Sequence, residues 1–203
     1  NEEAIAMARA LRDVLETKCF DEVGYKEALD INFNPAENDK LSENGVMADR
    51  TMNTLLHVFE AYTELYRVDK NPEVKKNLVE ILTIIAEKVY NPELKRQEVF
   101  FDRDMNSIID LHSYGHDIET AWLIDRGLEV MGDDNELTAK ISEITKTLAE
   151  TIYERAYTGN SLWNENEKGK IDKTRIWWVQ NETVVGFINE YQKDNTTKHY
   201  LEA

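Results

Sequence analysis

Helix pairs recur along this chain at a spacing of about 60 residues, with Asp69, Asp133 and Asp194 beside the short break inside each pair. Apolar residues repeat at helical spacing over long segments, and period-two alternation appears only in short pieces between them. The spacing predicts a helix over about residues 2–18, with Ile5, Ala8, Leu11 and Leu15 on one face. A second runs over 50–68 and carries Met52, Leu55, Leu56, Phe59 and Leu65. Asn71-Pro72 ends it and opens a third, with Val74, Leu78, Ile81, Leu82, Ile85 and Val89 as its stripe, up to Asn91-Pro92. Residues 92–112 read as a loop with one short strand or hairpin at Glu98-Val99-Phe100-Phe101-Asp102. Further helices are expected over 116–130, from 134 to 157, over 179–193 and from 197 onward, with an irregular stretch over 158–174.

Short connections inside the pairs and long ones between them fit helical hairpins set side by side, one helix of each lining the inside and its partner the outside. The expected fold is all-α, three helical hairpins plus the start of a fourth with short β-hairpin-like loops, in a single domain over 1–203. The helices at 72–90 and 134–157 carry one apolar stripe with Lys and Glu opposite, as outer helices should.

Composition narrows the partners. Forty acidic residues against 24 Lys and Arg give a formal charge of −16, which repels polyanions and anionic lipid surfaces, so neither nucleic acid nor membrane is an expected partner. No stretch approaches the roughly 18 apolar residues of a membrane span. The single cysteine, Cys19, cannot form an internal disulfide, and a reducing, cytoplasmic setting is the expectation.

The helices expected inside carry polar and aromatic residues near their N-terminal ends. Asn53 and His57 stand one turn apart; His116, Glu119 and Trp122 lie on neighbouring faces; Trp178 and Glu182 stand together. Their shared place in the repeat suggests one common pocket. A histidine can take and return a proton near neutral pH, and a carboxylate one turn away, Glu119, could orient it or bind a substrate hydroxyl. Asn53 and His57 serve either a polar ligand or a satisfied polar contact between helices. Trp177 and Trp178 are adjacent and point to different sides, so one can stack on a sugar while the other packs in the core. His112, His116 and Glu119 offer metal donors at spacings of four and three, but no His-Glu-x-x-His motif or Cys cluster backs them, and no metal is expected. Nor does any P-loop, Rossmann glycine fingerprint or nucleophile elbow call for a cofactor.

The run from Ser113-Tyr114-Gly115-His116-Asp117-Ile118-Glu119 to Thr120-Ala121-Trp122-Leu123 resembles the cellobiose 2-epimerases of the N-acylglucosamine 2-epimerase superfamily. Trp177-Trp178-Val179-Gln180-Asn181-Glu182 is similar to the same family, as are Leu41-Ser42-Glu43-Asn44-Gly45 and Met52-Asn53-Thr54-Leu55-Leu56-His57, in the same order. The resemblance implies an (α/α)6 barrel, of which this chain would be a central portion truncated at both ends. It implies a reaction in which one histidine removes the C2 proton of a ring-opened reducing-end glucose to give a cis-enediol(ate), and a second reprotonates the opposite face to give mannose.

His116 then matches a proton-transfer histidine and is joined by Glu119 and His57 as catalytic residues, while Asn53, Trp122, Trp178 and Glu182 match substrate-binding residues, Asn53 and His57 lying near the reacting carbons. The family's second histidine lies in a Tyr-His-Asn-Gly-Arg type of motif that this chain does not contain, and His199 lacks that context. The 203-residue chain alone is therefore expected to be inactive or nearly so, and exposed barrel edges favour self-association. Two alternatives stand beside this reading: an N-acylglucosamine 2-epimerase or mannose-type aldose–ketose isomerase, and a non-catalytic carbohydrate-binding helical module.

Overall fold

The computed structural model describes residues 1–38 and 45–203. In chain order its elements are α1 (Glu2–Val14), β1 (Arg50–Thr51), α2 (Met52–Asp69), α3 (Pro72–Ile84), β2 (Tyr90–Asn91), β3 (Arg96–Gln97), β4 (Phe100–Phe101), β5 (Leu111–Ser113), α4 (Tyr114–Met131), α5 (Glu136–Arg155), β6 (Glu165–Glu167), β7 (Lys170–Asp172), α6 (Trp177–Lys193) and α7 (Lys198–Glu202). Helices α1 and α3 each run on into one wider π-helical turn, Leu15–Cys19 and Ile85–Val89. The expected pairs are thus α2/α3, α4/α5 and α6/α7. They fall in two compact units, Asn1–Val89 with Val99–Ile109, and Tyr90–Glu98 with Asp110–Ala203.

In the first unit the helix boundaries follow from capping chemistry. Thr51 Oγ1 accepts from the Thr54 amide at the start of α2. Lys70, in the left-handed region, closes that helix, and Asn71 caps α3 with Pro72 in its first turn. Phe59, Val74, Leu78, Ile81, Leu82, Val89 and Phe101 are fully buried and form the core between α2 and α3. Strand β1 pairs antiparallel with β4, Thr51 opposite Phe100.

Helix α1 lies at the surface. None of its residues is buried, and Met7 and Leu11 are exposed. Ile5 and Ala8 of its apolar face, and Leu15 just beyond it, are partly buried, and polar groups add to the hold. Arg9 pairs with Asp69, and Arg12 Nε donates to Asn77 Oδ1 at 2.9 Å. Just beyond the helix, Glu16 accepts from Tyr25 and Tyr62 hydroxyls at 2.6 Å each and from Asn77 Nδ2 at 2.8 Å. Arg50, 2 % exposed, ties two loops together, the turn over 21–24 through Asp21 and the Gly24 carbonyl and the later loop through the Arg103 carbonyl.

In the second unit, α4 packs against both α5 and α6. Gly132, with φ of 66°, ends α4 in the left-handed conformation that glycine tolerates. Asn135 and Thr138 form a reciprocal capping box at the start of α5. Ile118, Ala121, Ile124, Ile141, Leu148, Ala149, Ile152 and Val179 make a core with no exposed surface. Tyr153 meets Phe187 and Tyr200 edge to face, Phe187 and Tyr200 meet at a tilt, and the three rings pin the short α7.

The stretch over 158–174, expected to be irregular, contains β6 and β7, which join β5 in an antiparallel sheet of order β5-β6-β7. Its strands are three residues each, and β5 sits far upstream in sequence, so local alternation was too short to reveal it. The sheet matters because β5 runs directly into α4: Ser113 lies opposite Glu165, and the Tyr114 amide donates to the Asn164 carbonyl at 3.2 Å. Among the described residues, no helix is long and apolar enough to cross a membrane.

Candidate active site

The second unit brings together His116, Trp122, Trp178 and Glu182, from the N-terminal parts of α4 and α6. Two glycines allow it. A Cβ on Gly115 would stand 2.6 Å from Trp178 Cη2 and 2.7 Å from Val179 Cγ2. One on Gly186 would stand 2.5 Å from Ile118 Cγ1. Only hydrogen fits at these two points, so the helices approach closely along the seam that carries the candidate residues.

The His116 ring lies against Trp178, with ring centroids 5.0 Å apart and tilted by 50°. Its Nδ1 is 2.6 Å from Ser113 Oγ. Trp122 Nε1 donates to Glu182 Oε2 at 2.8 Å, which joins α4 to α6 across the same seam. His116, Glu119, Trp122, Trp178 and Glu182 are all partly exposed, so their polar groups can reach a ligand while their backbones stay packed. Trp178 rather than Trp177 takes part. Trp177, the first residue of α6, is 75 % exposed and packs in no core, contrary to the expectation.

Beneath His116 lies a buried polar network. His112 Nε2 meets Asp117 Oδ2 at 2.8 Å. Asp117 Oδ1 accepts from Gln97 Nε2 at 3.0 Å, and the same Gln97 amide donates to Thr120 Oγ1 at 2.9 Å. His112 is therefore committed to Asp117, off the helical face, and does not join His116 and Glu119 as a metal donor. Among the described residues, no three His, Cys, Asp or Glu side chains form a metal-holding group. Neither a role for Ser113 nor the network under Asp117 is legible in the motif. The available signal was a serine three residues before a histidine at a helix start, normally read as an N-cap.

In the first unit, Asn53 and His57 stand on one face of α2, Asn53 partly exposed and His57 exposed, with His57 Nδ1 3.0 Å from Glu60 Oε2. The expected contribution of Leu41 to Asn44 lies outside the described residues. His199, on α7, meets Tyr153 edge to face and lies tilted against Tyr200.

A family profile for N-acylglucosamine 2-epimerase (GlcNAc 2-epimerase) matches residues 1–203, the whole chain. The chain belongs to the N-acylglucosamine 2-epimerase family. Among its relatives is the cellobiose 2-epimerase of Dictyoglomus turgidum, 44 % identical over 201 residues that cover 99 % of this chain and 51 % of the relative. The cellobiose 2-epimerase of Ruminococcus albus is 45 % identical over 203 residues, covering 100 % and 52 %. The chain thus spans about half the length of the curated relatives it matches. Among solved structures, a sugar epimerase from a ruminal bacterium superposes with a TM-score of 0.95 at 44 % identity, covering 100 % of this chain and 51 % of that one. The cellobiose 2-epimerase of Bacillus thermoamylovorans gives 0.92 at 43 % identity, covering 100 % and 52 %. The helical hairpins are those of an (α/α)6 epimerase, of which this chain makes up about half. A D-mannose isomerase, at 18 % identity and a TM-score of 0.74, shares the fold.

Proposed function

We propose that this chain carries part of the active site of a sugar 2-epimerase that interconverts the reducing-end glucose of cellobiose and related β-1,4-linked disaccharides with mannose, and that His116 is one of its two proton-transfer groups. The observation that carries the reading is the placement of His116. It is a partly exposed imidazole with Nδ1 held at Ser113 and one ring face against Trp178, in a chain 44–45 % identical to cellobiose 2-epimerases across its length.

The chemistry suits these residue types. In the open-chain aldose the carbonyl at C1 acidifies the C2 proton. His116 takes that proton, the electron pair becomes the C1–C2 double bond of a cis-enediol(ate), and delivery of a proton to the opposite face inverts C2. Developing negative charge on the enediolate oxygens needs donors close by, and a carbon acid needs a base held still against it. Trp178 offers a flat apolar face suited to a sugar ring. Glu119 and Glu182 offer acceptors for sugar hydroxyls, Glu182 being oriented by the Trp122 indole. Asn53 and His57 enter the reading through the family resemblance alone.

A chimera tests it: this chain in place of the matching half of a full-length cellobiose 2-epimerase, incubated with cellobiose in D2O. The expected result is deuterium at C2 and appearance of the mannose epimer, both abolished by His116→Ala. Faster turnover of N-acetylglucosamine or free mannose than of cellobiose would replace the disaccharide by that sugar. Unchanged turnover in His116→Ala would leave His116 a binding residue.

A further inference from the structure

We infer that Ser113 is a positioning residue that fixes the tautomer of His116: its Oγ accepts the Nδ1–H of the neutral imidazole and leaves Nε2 as the nitrogen through which protons pass. The inference rests on the reading of His116 as a proton-transfer residue and adds a second residue to that site.

Three observations converge on it. Ser113 occupies the N-cap position of α4 yet makes no side-chain cap bond, whereas Asn1, Thr51, Asn71 and Asn135 all use their side chains to cap the helices they begin. A serine at this position normally accepts from the second or third amide of its helix. Here the hydroxyl lies 2.6 Å from His116 Nδ1 instead. The two residues are also held by independent anchors. Ser113 is buried in the β5–β6 ladder opposite Glu165, and the first turn of α4 is tied down by the buried His112–Asp117 contact. Both backbones are therefore anchored independently where the hydroxyl and Nδ1 meet.

The choice of a hydroxyl has a chemical consequence. A carboxylate at Nδ1 would hold the charged imidazolium and make its proton hard to return. A hydroxyl oxygen accepts the Nδ1–H in both protonation states with little preference between them. A residue that must act as base in one direction and acid in the other needs that even-handedness. It also needs the lone pair on Nε2, which requires the proton to sit on Nδ1.

The experiment is long-range 1H–15N correlation on the 15N-labelled 203-residue chain, with no sugar present. His116 is assigned by the signal lost in His116→Gln, and the pH is set where the imidazole is neutral. The expected spectrum shows the Nδ1–H tautomer in the parent chain, a shift toward Nε2–H in Ser113→Ala, and return of Nδ1–H in Ser113→Thr. An Nε2–H tautomer in the parent, or an unchanged pattern in Ser113→Ala, overturns the inference. If Ser113→Ala loses its circular dichroism, the parent and Ser113→Thr spectra decide alone. Failure of C2 exchange in the chimera, with the Nδ1–H tautomer present, removes the epimerase reading and leaves the Ser113–His116 assignment standing.

Discussion

Replacing Gly186 by alanine sets helix propensity against packing, and the structure decides which wins. In a helix interior alanine is favoured over glycine by about 1 kcal/mol. The added Cβ, however, would stand 2.5 Å from Ile118 Cγ1, 2.7 Å from Ile118 Cδ1 and 3.2 Å from the Ile118 carbonyl oxygen. Ile118 has no exposed surface, so its side chain has nowhere to yield, and the nearby carbonyl belongs to the helix backbone itself. Overpacking at such a point costs about 3 kcal/mol, the upper part of its usual range. The net destabilisation of Gly186→Ala is then about 2 kcal/mol, a fall in thermal midpoint of about 4–8 °C for a chain of this size.

Urea unfolding followed by circular dichroism and by tryptophan fluorescence measures it. A double-mutant cycle isolates the cause. Ile118→Ala alone should cost about 3 kcal/mol by leaving a cavity. The same truncation also makes room for the new methyl, so the double variant should be about 2 kcal/mol more stable than the sum of the two single changes. A Gly186→Ala variant as stable as the parent, or a cycle that comes out additive, would refute the close approach of α4 and α6 on which the seating of Trp178 against His116 depends.

Three further outcomes are expected. Thr51→Ala removes both the cap on the Thr54 amide and a 2.7 Å hydrogen bond to Glu27, and should destabilise by about 1–2 kcal/mol in urea melts; a change below a few tenths would show that the cap is dispensable. Partial burial pushes the Asp21 carboxyl up, but hydrogen bonds from Arg50 and from the Val23 and Gly24 amides outweigh it and bring the pKa below the ordinary aspartate value. The unfolded state then holds the proton more tightly, so this stabilisation is present above about pH 4 and is lost as pH falls through the lowered folded value. The stability gap between parent and Asp21→Asn should accordingly shrink in acid, and a gap that widens there would reverse the assignment. Finally, because the proposed reaction needs two proton-transfer groups, the 203-residue chain alone should place little deuterium at C2 of cellobiose in D2O. Turnover matching a full-length relative would mean that His116 works without the partner histidine the family motif supplies.

How far the site was legible varied by residue, for physical reasons. His116, Glu119 and Trp122 were found because helical spacing is local: residues three and four apart share a face whatever else the chain does. Trp178 and Glu182 were found by the same rule one repeat later. Ser113 was not, since only its distance to Nδ1 separates a cap from a positioning group, and both look alike as a serine before a helix. Adjacency alone does not divide the roles of Trp177 and Trp178; the contact of Trp178 with His116 and the exposure of Trp177 do.

By itself the sequence determined the helices and their pairing, because capping residues, proline breaks and apolar periodicity act within a few residues along the chain. It also carried the family, since long ordered motifs around His116 and Trp178 leave little room for coincidence. The tertiary structure alone shows that Arg9 and Arg12 of α1, and Glu16 just beyond it, bond to groups far along the chain, and that 165–172 pairs with β5. Only it showed that Gly115 and Gly186 let two helices close on His116. Those outcomes depend on which surfaces meet across long sequence separations, and no local pattern encodes that distance.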